Sequence, residues 1–151
     1  MISSRILSRQ SRRMLQIGVG HFVFSALEGF VIPVLRVPPL GLAVHRLSAL
    51  QGVMMLALGL SWPRLRLGPV ASRTAFWTYT YSSVATLVPY VLAALWGAGN
   101  TTIPLAAGTA RGTSRQEAVI KVVLYSAAPS FFVSAALILW GLRMSDEDTA
   151  E

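Results

Sequence analysis

The sequence predicts an all-α integral membrane protein, built as a bundle of four transmembrane helices. Hydrophobic residues make up 54% of the 151 residues, charged residues only 13%, and the mean hydropathy is +0.58. A soluble domain carries about twice that share of charged residues. The charges also cluster at a few places, and long apolar segments separate the clusters. This pattern is typical of a multi-pass membrane protein.

Four segments reach the roughly 20 apolar residues that a transmembrane helix needs. They cover residues 14–35, 40–62, 74–97 and 117–142. The first is longer than the apolar core of a signal peptide, so we interpret it as the first helix of the bundle. The predicted organisation is therefore a basic N-terminal tail (1–13), a four-helix transmembrane domain (14–142) and an acidic C-terminal tail (143–151).

Prolines interrupt three of these segments, at Pro33, Pro89 and Pro129. A proline removes a helix hydrogen bond and kinks the helix. One interpretation is a set of simple kinks that improve packing. The other is a cavity beside Pro89 and Pro129, because the freed carbonyl groups need a partner in protein or in a wet cavity. The connection at residues 98–116 is either a lid over a site or only a linker.

The distribution of arginines predicts the orientation. Arginines concentrate in residues 5–13 and 64–73, which would lie on the same side of the membrane. The positive-inside rule places that side, and with it both termini, in the cytoplasm. We therefore expect a multi-pass protein of the cell (inner) membrane. The formal charge of +7 comes from arginines at the ends of apolar segments, where anionic lipid headgroups lie, so we expect no nucleic-acid partner.

Few ionisable residues lie inside the predicted spans, and such residues often mark functional sites. His45 shares a small-residue helix face with Ser48 and Gly52. It is either satisfied by a backbone carbonyl or by Glu28, or it is a metal or haem ligand, since neutral imidazole is a common ligand. For His21 we favour packing or a headgroup contact. The chain has no cysteine, which excludes disulfides and thiolate chemistry.

The third segment is unusually rich in hydroxyl groups. A stripe at helical spacing contains Tyr79, Ser82, Ser83, Thr86 and Tyr90. These groups either form hydrogen bonds between helices or line a polar cavity for a small, partly polar organic molecule. Motifs for nucleotide binding or hydrolysis are absent from the sequence.

Several segments resemble the hydroxylaminobenzene mutase family. They are RRMLQIGVGHFVFSALEGFVIP, PLGLAVHRLSALQG, LSWPRLRLGPVASRTAFW, LAALWGAGNTTIPLAAGTARGTSRQEAVI and LILWGLR, in that order. The resemblance spans nearly the whole chain. It implies an isomerase that moves the hydroxyl group of an aryl hydroxylamine from nitrogen to the ortho ring carbon, which yields a 2-aminophenol.

That family is in turn similar to styrene oxide isomerase, a four-helix membrane enzyme in which a histidine of the second helix binds haem b in a homotrimer. The resemblance implies that His45 is the axial ligand of a ferric haem b iron. It places Gln51, where the relatives carry asparagine, beside a small aromatic substrate. Arg46 would contact a haem propionate or a lipid headgroup.

In the third helix the resemblance implies three further site residues. An acidic residue of the isomerase falls at Ser82, an asparagine at Thr86 and a tyrosine at Tyr90. The differences from the relatives at Gln51, Ser82 and Thr86 affect the expected identity of the substrate more than that of the cofactor. The iron would act as a Lewis acid on the substrate oxygen. The alternatives are an epoxide isomerase on the same scaffold and a non-enzymatic small membrane protein.

Overall fold

A computed structural model describes residues 2–143 of the chain. Every regular element in this range is helical, which confirms the all-α prediction. The elements are α1 (Ile2–Gly29), α2 (Pro38–Ser61), α3 (Pro69–Trp96), the single turn α4 (Pro104–Ala107) and α5 (Ser114–Gly141), with 3-10 turns at Ile32–Val34 and Trp62–Arg64. Apart from Arg143, the predicted acidic tail lies outside the described residues.

Helix α1 differs most from the prediction. It begins at Ile2 rather than at residue 14, because arginine is a good helix former and the basic segment continues the helix. It ends at Gly29 rather than at residue 35. The prediction that Pro33 interrupts the first span was wrong, since Pro33 lies in the 3-10 turn that follows the helix.

The other helix ends follow local signals in the sequence. Helices α2, α3 and α4 each begin at a proline, whose fixed φ suits the first helical position. Gly97 ends α3 in the left-handed conformation, with φ +64°. Thr113 and Gln116 form a capping box at the start of α5. Pro89 and Pro129 lie inside α3 and α5, as predicted.

Two helices of the described chain are long and apolar enough to cross a membrane. They are α2 with the turn after it (Pro38–Arg64) and α5 (Ser114–Gly141). Helices α1 and α3 are equally long, but arginines in the first half of α1 and hydroxyl groups along α3 reduce their apolar character. Large apolar side chains are exposed along all four long helices, Leu27 and Phe132 among them, as expected for helices that face lipid or another chain.

The four long helices pack as two pairs. Helix α1 lies along α2, α3 lies along α5, and α2 and α3 join the pairs. Two glycines allow the first pair to approach closely. A Cβ atom on Gly18 would lie 3.0 Å from the carbonyl oxygen of Gly52, and one on Gly52 would lie 3.0 Å from the carbonyl oxygen of Gly18. Small residues at a helix crossing are common in membrane proteins.

The buried side chains form one cluster at each end of the molecule. At one end Leu7 of α1 and Ile138 of α5 pack around Trp62, so the start of α1 and the end of α5 lie on the same side. At the other end Ile103 and Ala107 of the loop after α3 are buried in a second cluster, with residues of α2, α3 and α5.

Glu117 fixes this loop to the start of α5. Its carboxylate accepts hydrogen bonds from the backbone N–H groups of Gly99 at 2.8 Å and Gly112 at 3.0 Å, and from the hydroxyl group of Thr101 at 2.5 Å. The loop therefore closes one end of the molecule. None of its residues lines the cavities described below.

Candidate active site

A cavity of about 360 Å³ opens between α2, α3 and α5. It brings together Gln51, Ser82 and Thr86, three of the residues predicted for the site. The other lining residues are Leu50, Met54, Tyr79, Ser83, Leu124, Ala127, Ala128, Phe131 and Phe132. Pro89 and Pro129 lie close in sequence to this lining but do not belong to it.

A short hydrogen-bonded chain crosses three helices beside this cavity. Ser83 Oγ donates to Gln51 Oε1 at 3.1 Å and lies 3.4 Å from His21 Nε2. A serine hydroxyl has only one proton, so His21 must be the donor in the second contact. His21 is buried. This agrees with the packing interpretation of His21 and not with a headgroup contact.

The cavity offers neutral hydrogen-bonding groups to a ligand. Because Gln51 Oε1 already accepts from Ser83, the two N–H groups on Gln51 Nε2 remain available. Thr86 Oγ1 donates to the carbonyl oxygen of Ser82 at 2.8 Å, so its oxygen is left to accept. The hydroxyl groups of Tyr79 and Ser82 make no hydrogen bond to any of the described residues.

The remaining wall of the cavity is apolar and aromatic. Phe131 and Phe132 of α5 line it together with Leu50 and Met54 of α2. The lining among residues 2–143 includes no carboxylate, amine, guanidinium or imidazole group. Such a site suits a flat aromatic molecule with a small polar substituent.

His45 lies on a different side of α2, where this helix packs against α1. Its Nδ1 atom is 2.9 Å from the carbonyl oxygen of Ser25 and 3.8 Å from Glu28 Oε2. Ser25 Oγ donates to the carbonyl oxygen of His45 at 2.9 Å. Nδ1 is therefore the protonated nitrogen. The Nε2 atom makes no hydrogen bond within residues 2–143, and 39% of the side chain is exposed.

Glu28 is the most unusual polar residue near His45. Both of its carboxyl oxygens are buried, and neither has a hydrogen-bond partner among the described residues. The side chain contributes the polar group of an otherwise apolar cavity of about 380 Å³ between α1, α2 and α3. At 3.8 Å, the contact with His45 is electrostatic and lacks hydrogen-bond geometry.

The remaining predicted residues lie away from the polar cavity. Arg46 is exposed on the outer face of α2. Tyr90 is half-buried against the cluster that contains Leu40 and Ala94. Although Tyr90 belongs to the hydroxyl stripe in the sequence, it lies one turn beyond the part of the stripe that lines the cavity. Within one chain, the cavity contains Gln51, Ser82 and Thr86, but not His45, Arg46 or Tyr90.

The described residues contain no cluster of side chains that could together bind a metal ion. No group of three or more histidine, cysteine, aspartate or glutamate side chains is placed to hold a metal ion there. A prosthetic group that supplies most of its own metal ligands needs only a single protein ligand. The Nε2 atom of His45 can serve as such a ligand, because Nδ1–H is fixed by the Ser25 carbonyl group and the side chain is partly exposed.

Comparison with known proteins identifies the family. The model of the styrene oxide isomerase family matches residues 10–143. The chain belongs to the styrene oxide isomerase family. It is 43% identical to hydroxylaminobenzene mutase HabB of Ectopseudomonas oleovorans over 133 residues, which cover 88% of this chain and 81% of that protein.

A second relative supports the same assignment. Hydroxylaminobenzene mutase HabA of the same organism is 34% identical over 125 residues, which cover 83% of this chain and 93% of that protein. No solved structure matches the chain. These relationships confirm the resemblance seen in the sequence, and they establish the chain as an isomerase of the mutase type. The alternative of a non-enzymatic membrane protein was therefore wrong.

Proposed function

We propose that this isomerase rearranges an aryl hydroxylamine to a 2-aminophenol at the cavity that contains Gln51. The observation that supports the proposal is the combination of a fixed amide, several hydroxyl groups and two phenylalanines around one small space. A volume of about 360 Å³ lies at the lower end of the range for small-molecule sites, roughly 300–1,000 Å³. An aryl hydroxylamine has both of the matching parts, a flat ring and a small polar group.

The chain's own residues would bind and orient the substrate. Phe131 and Phe132 would contact the ring, and the Gln51 amide would donate to the oxygen that migrates. As the N–O bond breaks, negative charge builds on that oxygen, and fixed donors stabilise it. The apolar wall limits the access of water, which would otherwise capture the electron-poor ring at other positions.

The residues around His45 fit a haem group. Its Nδ1–H donates to the carbonyl oxygen of Ser25, and 39% of its side chain is exposed. Gly29 of α1 packs next to the imidazole, where a Cβ atom would make an ordinary van der Waals contact at 3.4 Å. We propose that His45 holds a ferric haem b and that Arg46 contacts a propionate or a headgroup. When bound, the haem supplies a Lewis acid that polarises the substrate oxygen.

A complete site would need more than one copy of the chain. His45 and the cavity lie on different sides of α2, separated by an outer face with the exposed side chains of Leu42, Arg46 and Val53. A second copy packed on this face would cover its apolar surface and bring His45 close to a substrate cavity. The homotrimer that the resemblance implies is one such assembly.

We also propose that all four long helices cross the inner membrane, with both termini in the cytoplasm. Two of the four helices meet the criteria of length and apolarity. The packing supports the same topology for α1 and α3, since each lies along one of those two. The arginine-rich start of α1 lies at the same end of the molecule as the turn that contains Arg64.

The decisive experiment supplies hydroxylaminobenzene and styrene oxide to the detergent-purified protein and separates the products by chromatography. Conversion of hydroxylaminobenzene to 2-aminophenol is expected, with loss of activity in Gln51→Leu. Isomerisation of styrene oxide alone would contradict this substrate class. It would favour the second candidate, an epoxide isomerase, which the family match supports.

A further inference from the structure

A second polar cavity lies at the end of the molecule where α1 begins, away from the site described above. It has a volume of about 210 Å³ and is formed by the first turns of α1 and α3. Arg9 and Arg13 contribute from α1 and Arg73 from α3, and Phe76 and Trp77 form the apolar part of its wall. Three arginine side chains from two helices therefore line one small space.

These arginines have no counter-charge within the described chain. Their side chains form no ion pair or hydrogen bond with any of residues 2–143. The acidic residues in that range are Glu28 and Glu117. Glu28 lies about 22 Å further along α1 than Arg13, from the rise of 1.5 Å per residue. Glu117 is bonded to the loop at the opposite end.

A rigid hydrogen-bonded floor supports the cavity. Gln10 is buried, and its Nε2 donates to the carbonyl oxygen of Ser72 at 3.3 Å. Its Oε1 accepts from Trp62 Nε1 at 3.0 Å and from the hydroxyl group of Ser72. This network connects α1 to α3 and fixes the separation of the helices that carry the arginines.

The aromatic wall points to a ligand at the membrane surface. Phe76 is buried, and its ring meets the rings of Trp62 and Trp77 edge-on. Trp77 is 60% exposed. An exposed tryptophan beside arginines at the end of an apolar helix is typical of the headgroup region. Guanidinium groups bind phosphate oxygens through paired hydrogen bonds, and basic pockets between membrane helices bind anionic headgroups.

We propose that this cavity binds the phosphate group of an anionic phospholipid, with Arg9, Arg13 and Arg73 as ligands. The phosphate enters between the guanidinium groups, and Trp77 lies beside the glycerol region of the lipid. This binding adds an ionic connection between α1 and α3 to the hydrogen bonds that join Gln10 to Ser72. The site is independent of the proposed catalytic function, so the failure of either proposal leaves the other intact.

The test measures thermal unfolding of the full chain in maltoside detergent during titration with phosphatidylglycerol, phosphatidylcholine or inorganic phosphate. Phosphatidylglycerol is expected to raise the unfolding temperature at concentrations at least tenfold below those needed of phosphatidylcholine. The triple variant Arg9→Gln/Arg13→Gln/Arg73→Gln should lose this preference, since each charge-assisted contact contributes about tenfold in affinity. Arg73→Gln alone serves if the triple variant does not fold.

A charge-matched control separates this site from general attraction to anionic lipid. The variant Arg5→Gln/Arg12→Gln/Arg64→Gln removes three exposed arginines outside the cavity and should keep the preference. Equal loss in both triple variants would overturn the proposal. Stabilisation by inorganic phosphate that equals that by phosphatidylglycerol would support the phosphate site and assign it to a free anion.

A last outcome of the test is that the arginines bind acidic residues of the chain itself instead of a lipid. Asp146, Glu147, Asp148 and Glu151 follow α5 in the sequence. Phosphatidylglycerol could stabilise the protein more than phosphatidylcholine does only after these four residues are changed to their amides. In that case the arginines bind the acidic residues of the chain itself. That result would overturn the lipid proposal.

Discussion

The Nδ1 atom of His45 donates to the carbonyl oxygen of Ser25 over 2.9 Å, and the Ser25 hydroxyl group donates back to the carbonyl oxygen of His45 over 2.9 Å. This reciprocal pair connects α1 to α2 and fixes both the rotation and the tautomer of the ring. A histidine fixed in this way presents Nε2 with its lone pair outward. The structure thus agrees with the alternative in which a backbone carbonyl satisfies His45, and the same contact prepares the ring to be a ligand.

The two histidines should therefore differ in haem binding. We expect the absorption spectrum of purified protein to show a Soret band that His45→Gly removes and that added imidazole restores. His21→Ala should retain the band, because His21 is buried and bonded to Ser83. A Soret band of full intensity in His45→Gly without imidazole would exclude His45 as the ligand.

Gln51 should act through its amide group. Gln51→Leu removes the free N–H donors and leaves the Ser83 hydroxyl group without its acceptor. We expect kcat/KM for hydroxylaminobenzene to fall by about 10²-fold, the size of effect seen when one donor to a developing oxyanion is lost. Gln51→Asn keeps an amide and should retain most of the activity. Equal losses in both variants would show that side-chain length, rather than hydrogen bonding, decides the rate.

The sequence predicted the long helices, and three of the six candidate site residues lie together at one cavity, for identifiable physical reasons. Helical periodicity places Ser82 and Thr86 on one face of α3, and the structure shows that face lining the cavity. Tyr90 lies on the same stripe, but periodicity does not reveal where along a helix a cavity ends. The stripe therefore predicted the face of α3, and the structure shows which part of that face lines the cavity.

Contacts between helices could not be predicted in the same way. The partner of His45 is the carbonyl group of Ser25, and the partner of His21 is Ser83. Each pair is far apart in the sequence, and neither leaves a periodic signal. Phe131 and Phe132 were missed for a related reason, since an apolar residue of a membrane helix has the same sequence signal whether it faces lipid or a cavity.

The crossing of α1 and α2 should be sensitive to a single methyl group. Gly18→Ala would place a Cβ atom 3.0 Å from the carbonyl oxygen of Gly52, a backbone atom that cannot move independently of its helix. We expect a loss of about 1–3 kcal/mol in the free energy of unfolding, as in other overpacked interiors. Gly20→Ala is the matched control, because nothing lies within 4 Å of its Cβ position. A lower unfolding temperature for Gly18→Ala than for Gly20→Ala, measured in detergent, would confirm the close approach.

Glu117→Gln tests whether the loop at residues 98–116 is part of the machinery or a structural closure. The carboxylate accepts from two backbone N–H groups through Oε1 and from Thr101 through Oε2. An amide keeps only one acceptor oxygen, so one set of donors loses its partner. We expect a loss of about 2–3 kcal/mol in stability and faster hydrogen exchange at Gly99 and Gly112. Arg115→Gln, an exposed change in the same turn, should leave both unchanged.

The same Glu117→Gln variant also tests the role of the loop in catalysis. Because the loop does not line the cavity that contains Gln51, kcat measured below the unfolding temperature should remain within about twofold of the original value. A change of about 1.4 kcal/mol in the activation free energy would instead change kcat about tenfold. A large fall in kcat in a folded Glu117→Gln protein would instead identify the loop as a lid.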